Sequence, residues 1–192
     1  MLFCSSILEE KTAALYLKVA DKARPPLVKS FFLHIAYDSK KHSTIFKGLS
    51  ESVAKPSTKP KECKKRLGQI WRITETLTQE IMSKQRMPEE KMTHLVERLA
   101  TLEIAMAEEY YTLVQAKTLS FMIKEIKQIY NVNFGKVRHI LNAVIRDEER
   151  HQMLLATIKK ILAKERLKQE DNSPKVKYQS PDSWIRSLPS TS

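Results

Sequence analysis

Glu148 and His151 stand three residues apart. On a helix that spacing puts both on one face, so one helix can offer a carboxylate and an imidazole to the same metal ion. Two other acids keep different company: Glu9 is followed seven residues later by Tyr16, and Glu103 by Tyr110. Seven residues turn an ideal helix through about 700°, roughly 20° short of two full turns, so each acid shares a face with its tyrosine. Those faces also carry apolar neighbours and should point inward, where a carboxylate is costly unless paired, protonated or metal-bound.

The same residues belong to an internal repeat. Leu8-Glu9-Glu10-Lys11-Thr12-Ala13-Ala14-Leu15-Tyr16 runs in register with Leu102-Glu103-Ile104-Ala105-Met106-Ala107-Glu108-Glu109-Tyr110. Downstream, Asp38-Ser39-Lys40-Lys41-His42 parallels Asp147-Glu148-Glu149-Arg150-His151. A helix pair therefore occurs twice. Two such hairpins joined by a long crossover are one way to build an all-α four-helix bundle.

In these motifs the chain resembles the rubrerythrin and ferritin-like di-iron carboxylate families over roughly residues 4–160. Glu9 with Tyr16 and Glu103 with Tyr110 resemble the families' Glu-plus-seven-Tyr helices. Asp147-Glu148-Glu149-Arg150-His151 matches the Asp-Glu-x-Arg-His form of their Glu-x-x-His motif. In such proteins one Glu from each of two helices and a Glu-x-x-His from each of the other two project into the bundle core. The resemblance implies a ferritin-like bundle with an extra helix in the crossover. It also implies metal ligation by Glu9, His42, Glu103, Glu148 and His151, and hydroxyls of Tyr16 and Tyr110 bonding to ligand carboxylates of the opposite hairpin.

The pattern breaks once. Where the first hairpin should carry Glu-x-x-His it reads Ser39-Lys40-Lys41-His42. The family's glutamates at these motifs bridge two metals, which a serine does not do in the same way. Asp38 is no direct replacement: relative to His42 it lies about 40° to one side and position 39 about 60° to the other. The repeat aligns Asp38 with Asp147, a position that in related proteins accepts a proton from a ligand histidine and fixes its tautomer; direct ligation and plain surface charge are the alternatives for Asp38. Three carboxylates and two imidazoles suit iron, manganese or zinc. One ion near Glu103, Glu148 and His151 is the simpler reading, and two would need water or an outside anion to fill the missing bridge.

Each residue also has an ordinary explanation. Ser6-Ile7-Leu8-Glu9 reads as a capping box with Ser6 at the N-cap. Glu103 is a common helix-face acid, and Arg146 and Arg150 would put Glu148 and His151 on a charged, exposed stretch. Lys40 and Lys41 suggest a solvated turn around His42. Tyr16 and Tyr110 would serve as core packing. Met106, Met122 and Met153 read as core filler, and His34, His94 and His139 as structural or exposed.

The rest of the chain must position these groups. Its 192 residues hold three glycines, too few for a sheet-and-turn protein, and the apolar residues recur at helical spacing. Helices are expected over about 6–22, 26–48, 61–84, 88–116, 119–130 and 136–167, the third being the crossover helix. The second of these helices carries Leu27, Phe31, Phe32, Ile35, Ile45 and Phe46. Pro56 and Pro60 mark a linker over 51–60. The bundle is expected to span 1–168, followed by a flexible basic tail, 169–192, in which Trp184-Ile185 is the one segment that would dock.

Cys4 and Cys63 are the chain's two cysteines. They form no metal-binding cluster of the rubredoxin kind and suggest no disulfide framework. The opening residues are too short for a signal peptide, and no apolar run nears the roughly 18 residues of a membrane span. The expectation is a soluble, cytoplasmic protein. Net charge is +12, but the cationic residues cluster in a loop and tail without interleaved aromatics, so nucleic acid is not the expected partner.

Three functions remain. The first is a metal-dependent oxidoreductase acting on oxygen or peroxide, supplied with electrons by a separate donor protein and homodimeric by analogy. The second is an iron binder or small ferroxidase. The third is a non-enzymatic interaction module with a degenerate metal site.

Overall fold

The computed structural model describes residues 1–53, 59–83, 87–115 and 134–171, and among them every regular element is a helix. These are α1 (Leu2–Lys22), α2 (Pro26–Val53), α3 (Pro60–Met82), α4 (Glu89–Gln115) and α5 (Phe134–Asp171). The expected helix at 119–130, Met122, the middle of the linker and the Trp184-Ile185 segment lie outside the described residues.

The breaks follow from proline chemistry. α1 ends where Ala23 turns extended, at φ −74° and ψ 128°, ahead of Pro25 and Pro26. The residue before a proline avoids helical dihedrals, and Pro26 then opens α2, where its missing N–H costs nothing. Pro60 opens α3 in the same way. Inside α3 the chain kinks at Gly68, whose φ of +50° and ψ of −110° suit a residue without a Cβ.

α1 lies along α2 and α4 along α5, so the two halves of the repeat are two helical pairs; α2 also meets α5. α3 packs mainly on α1 and more lightly on α4. Its buried residues Cys63, Leu67, Trp71, Thr74, Leu77 and Ile81 recur every three or four positions, an amphipathic stripe laid on the pairs. Leu8, Leu15, Phe32, Ile35, Phe46, Leu95, Leu99 and Leu102 are fully or almost fully buried in one core. No helix among the described residues is long and apolar enough to cross a membrane.

Three expectations change. Cys4 and Cys63 are joined in a disulfide, both sulfurs buried, tying the start of α1 to the start of α3. Helix packing brings together two residues 59 apart in sequence, and nothing local in the chain announces it. Ser6 is not an N-cap: α1 begins four residues earlier at Leu2, and the Ser6 hydroxyl donates to the carbonyl of Phe3. Met153 is 65% exposed, since two residues beyond His151 turn it about 200° away from the inward face.

Candidate metal centre

α1 contributes Glu9 and α4 contributes Glu103, each in mid-helix and fully buried. α2 brings His42, and α5 brings Glu148 and His151, also fully buried. The five side chains expected as ligands therefore meet in one place. They form two groups, Glu9–His42–Glu148 and Glu103–Glu148–His151, in each of which the possible donor atoms lie within 4.8 Å of one another.

Glu148 belongs to both groups and presents one oxygen to each. Its Oε1 lies 3.0 Å from His42 Nδ1 and its Oε2 lies 3.6 Å from His151 Nδ1. His151 Nδ1 is also 2.9 Å from Glu103 Oε2, and His42 Nδ1 is 3.4 Å from Glu9 Oε1. Both imidazoles thus turn the same nitrogen inward. Their other nitrogens point outward to aspartates, and these contacts cross between the repeats: His42 Nε2 is 3.0 Å from Asp147 Oδ2, and His151 Nε2 is 3.3 Å from Asp38 Oδ2. In a neutral imidazole, an Nε2–H donated to a carboxylate leaves Nδ1 as a lone pair facing inward.

The tyrosines cross as well. Tyr16 donates to Glu103 Oε1 at 2.6 Å, and Tyr110 donates to Glu9 Oε1 at 2.7 Å. Thr12 and Met106, equivalent in the repeat, touch at 3.7 Å between the two helices. Each hairpin completes the other around an approximate twofold axis.

Lys40 and Lys41 are exposed, as a solvated turn requires, while His42 beside them is buried, and Lys41 and Arg150 close the outer side of the site. Lys41 Nζ lies 2.7 Å from both Asp38 and Asp147, and the Arg150 guanidinium lies 2.8 Å from both. The signal was in the repeat: a cation stands three residues after each aspartate. Asp38 is partly buried and mainly serves His151, Lys41 and Arg150, and it belongs to neither donor group. His34, His94 and His139 are exposed, with His34 3.4 Å from Asp38.

Electrostatics follow from crowding charge into a dry interior. Burial raises Glu148, reinforced by Glu9 and Glu103 and opposed by the histidines, to about 8. Burial alone would lower His42, but the carboxylates of Glu148 and Glu9 overcome it and raise the imidazole to about 10. His151 is raised in the same way by Asp38 and Glu103. Glu103 goes the other way: burial would lift it, yet His151 holds it low. Asp38 and Asp147 are held low against their partial burial by the histidines, Lys41 and, for Asp38, Arg150. Burial first, then their carboxylate partners, push both tyrosines well above the usual phenol range, so they remain neutral donors.

The donor set fits a metal on an observation independent of spacing. Glu9 Oε2, Ser39 Oγ, His42 Nδ1 and both oxygens of Glu148 are buried without a hydrogen-bond partner among the described residues. Although Glu148 Oε1 is only 3.0 Å from His42 Nδ1, the pair lacks the alignment of a hydrogen bond. Buried polar atoms are rarely left so, and several in one cluster point to something they hold in common. No family model, curated protein or solved structure matches the chain.

Proposed function

We propose that this chain is a ferritin-like protein that binds two divalent ions, with iron as the preferred pair, and works as an oxidoreductase on oxygen, peroxide or ferrous iron. The observation that carries this reading is the convergence of two buried donor groups on Glu148. Carboxylate oxygens and imidazole nitrogens suit iron, with manganese and zinc as competitors. The crossed hairpins with an extra helix between them support the ferritin-like topology.

Iron held there would supply the electrons for reducing oxygen or peroxide. The protein's residues would do the rest. Glu9 with His42 would hold one ion, Glu103 with His151 the other, and Glu148 both. Tyr16 and Tyr110 would fix the carboxylate rotamers, and Asp38 and Asp147 the histidine tautomers. Full burial would exclude bulk water and strengthen every charge interaction within the site. Repeated turnover would draw electrons from a separate donor protein, and a homodimer is the assembly proposed by analogy. A cytoplasmic location is not favoured by the Cys4–Cys63 disulfide, since such bonds are rare in reducing compartments.

A second reading, a helical interaction module with a degenerate site, rests on Ser39. Loading the protein anaerobically with ferrous iron and measuring metal per chain, then consumption of oxygen and peroxide, separates the two. Two irons per chain and faster consumption than free iron are expected. Bound iron without turnover would remove the oxidoreductase, and no bound metal would favour the module.

A further inference from the structure

Ser39 is the one place where a ligand side chain of one half of the site has no counterpart in the other; it is almost fully buried, and its hydroxyl has no partner among the described residues. The repeat sets it opposite Glu148. A serine Oγ stands where a glutamate has Cγ. The heavy atoms that serine lacks are therefore one carbon and two oxygens, those of a carboxyl group.

Charge leads to the same missing group. With two divalent ions bound, Glu9, Glu103 and Glu148 supply three negative charges against four positive ones. The tyrosines are neutral. Lys41 and Arg150 balance Asp38 and Asp147 through the ring of ion pairs. One positive charge is left in a buried site, where an uncompensated charge is expensive.

Building on the two-ion reading, we propose that the site takes a small monocarboxylate anion beside Ser39, which supplies the second bridge that the chain does not encode. Ser39 is its positioning residue: the buried hydroxyl donates to the anion, as an O–H to a charged acceptor does most strongly. The ligand class is limited to anions near formate in size, because the atoms that serine lacks relative to glutamate are those of a single carboxyl group. Oxygen or peroxide chemistry at the site then depends on a co-ligand drawn from solution.

Cobalt(II)-loaded protein titrated with sodium formate tests this, through the visible absorption of the metal and through calorimetry. One formate per two cobalt ions is expected. Ser39→Ala should weaken formate binding about tenfold or more, the worth of a hydrogen bond to a charged group. Ser39→Glu should keep two cobalt ions and bind no formate, since its own carboxylate fills the place. If Ser39→Glu does not fold, Ser39→Ala alone decides. Two cobalt ions with no formate response would overturn the proposal while leaving the metal reading intact, as would equal formate affinity in wild type and Ser39→Ala. A single cobalt ion per chain would overturn it by removing the bridge, and no bound cobalt would remove both readings.

Discussion

The α1–α2 hairpin and the α4–α5 hairpin present the same buried donors and the same supporting tyrosine and aspartate, save for one ligand position. Both present a glutamate, a tyrosine, an aspartate and a histidine at matching places, and the tyrosine and aspartate of each serve the other's glutamate and histidine. Only the second hairpin adds a carboxylate between the two donor groups, at Glu148. The difference teaches that positioning and ligation are separable. The first hairpin keeps the outer aspartate–histidine and tyrosine–glutamate contacts without the central acid, because those contacts depend on helix geometry and on the opposite hairpin. The second hairpin alone carries the link between the groups. The sharpest way to break the comparison follows. Glu148→Gln, which keeps the shape and loses the charge, should abolish specific binding of both ions, whereas Glu9→Gln or Glu103→Gln should cost mainly one. Metal per chain after gel filtration checks this, and retention of two ions in Glu148→Gln would end the account of a single bridge.

Much of this was legible before any coordinates. The Glu-to-Tyr spacing, the two Asp-to-His segments and the paired prolines outlined the helices and the inward faces, because period and proline chemistry are local properties of the chain. What stayed hidden was set by packing. The Cys4–Cys63 bond depends on where α3 lands, and the pairing of the exposed Lys41 with both aspartates stays hidden because Asp38 and Asp147 come from different helices. Ser6 looked like a cap because its spacing to Glu9 is right for one. The start of α1 at Leu2 removes that option and leaves Glu9 free to point inward. Met153 fitted a list of apolar residues but not the turn of the helix it sits on.

Proton balance gives the next largest test of the asymmetric site. Metal-free, the fold favours the protonated forms of His42, raised to about 10, and of Glu148, raised to about 8. A group whose pKa is raised on folding stabilises the fold below its unfolded value and loses that contribution as pH rises through the folded one. Stability of the metal-free protein should therefore fall between about pH 4.5 and 8 through Glu148 and between about 6.5 and 10 through His42, by roughly 1.4 kcal/mol per pH unit for each proton held. Metal binding displaces these protons, so the loaded protein should show a flatter profile over the same range. Denaturant melts of both forms across pH measure it, and parallel profiles would contradict the assignment of these protons to the site.

The smallest expected effect compares the two tyrosines. Both hydroxyls donate to a buried carboxylate, and a hydrogen bond to a charged group is worth about 1.5–3 kcal/mol. The carboxylates they serve are not equally provided for. Glu103 also receives His151 Nδ1 at 2.9 Å, so Tyr16→Phe leaves it one aligned partner. Among the described residues Glu9 has only Tyr110, because its Oε2 is unpartnered and His42 Nδ1 approaches without hydrogen-bond alignment. Tyr110→Phe should therefore destabilise the metal-free protein more than Tyr16→Phe. In the metal-loaded protein the gap should narrow, because an ion at Glu9–His42–Glu148 would satisfy the carboxylate that Tyr110→Phe leaves bare. Urea melts of the two variants with and without metal make the comparison. A gap that persists unchanged on loading would mean that Glu9 does not reach the ion, and the first hairpin would then contribute His42 alone.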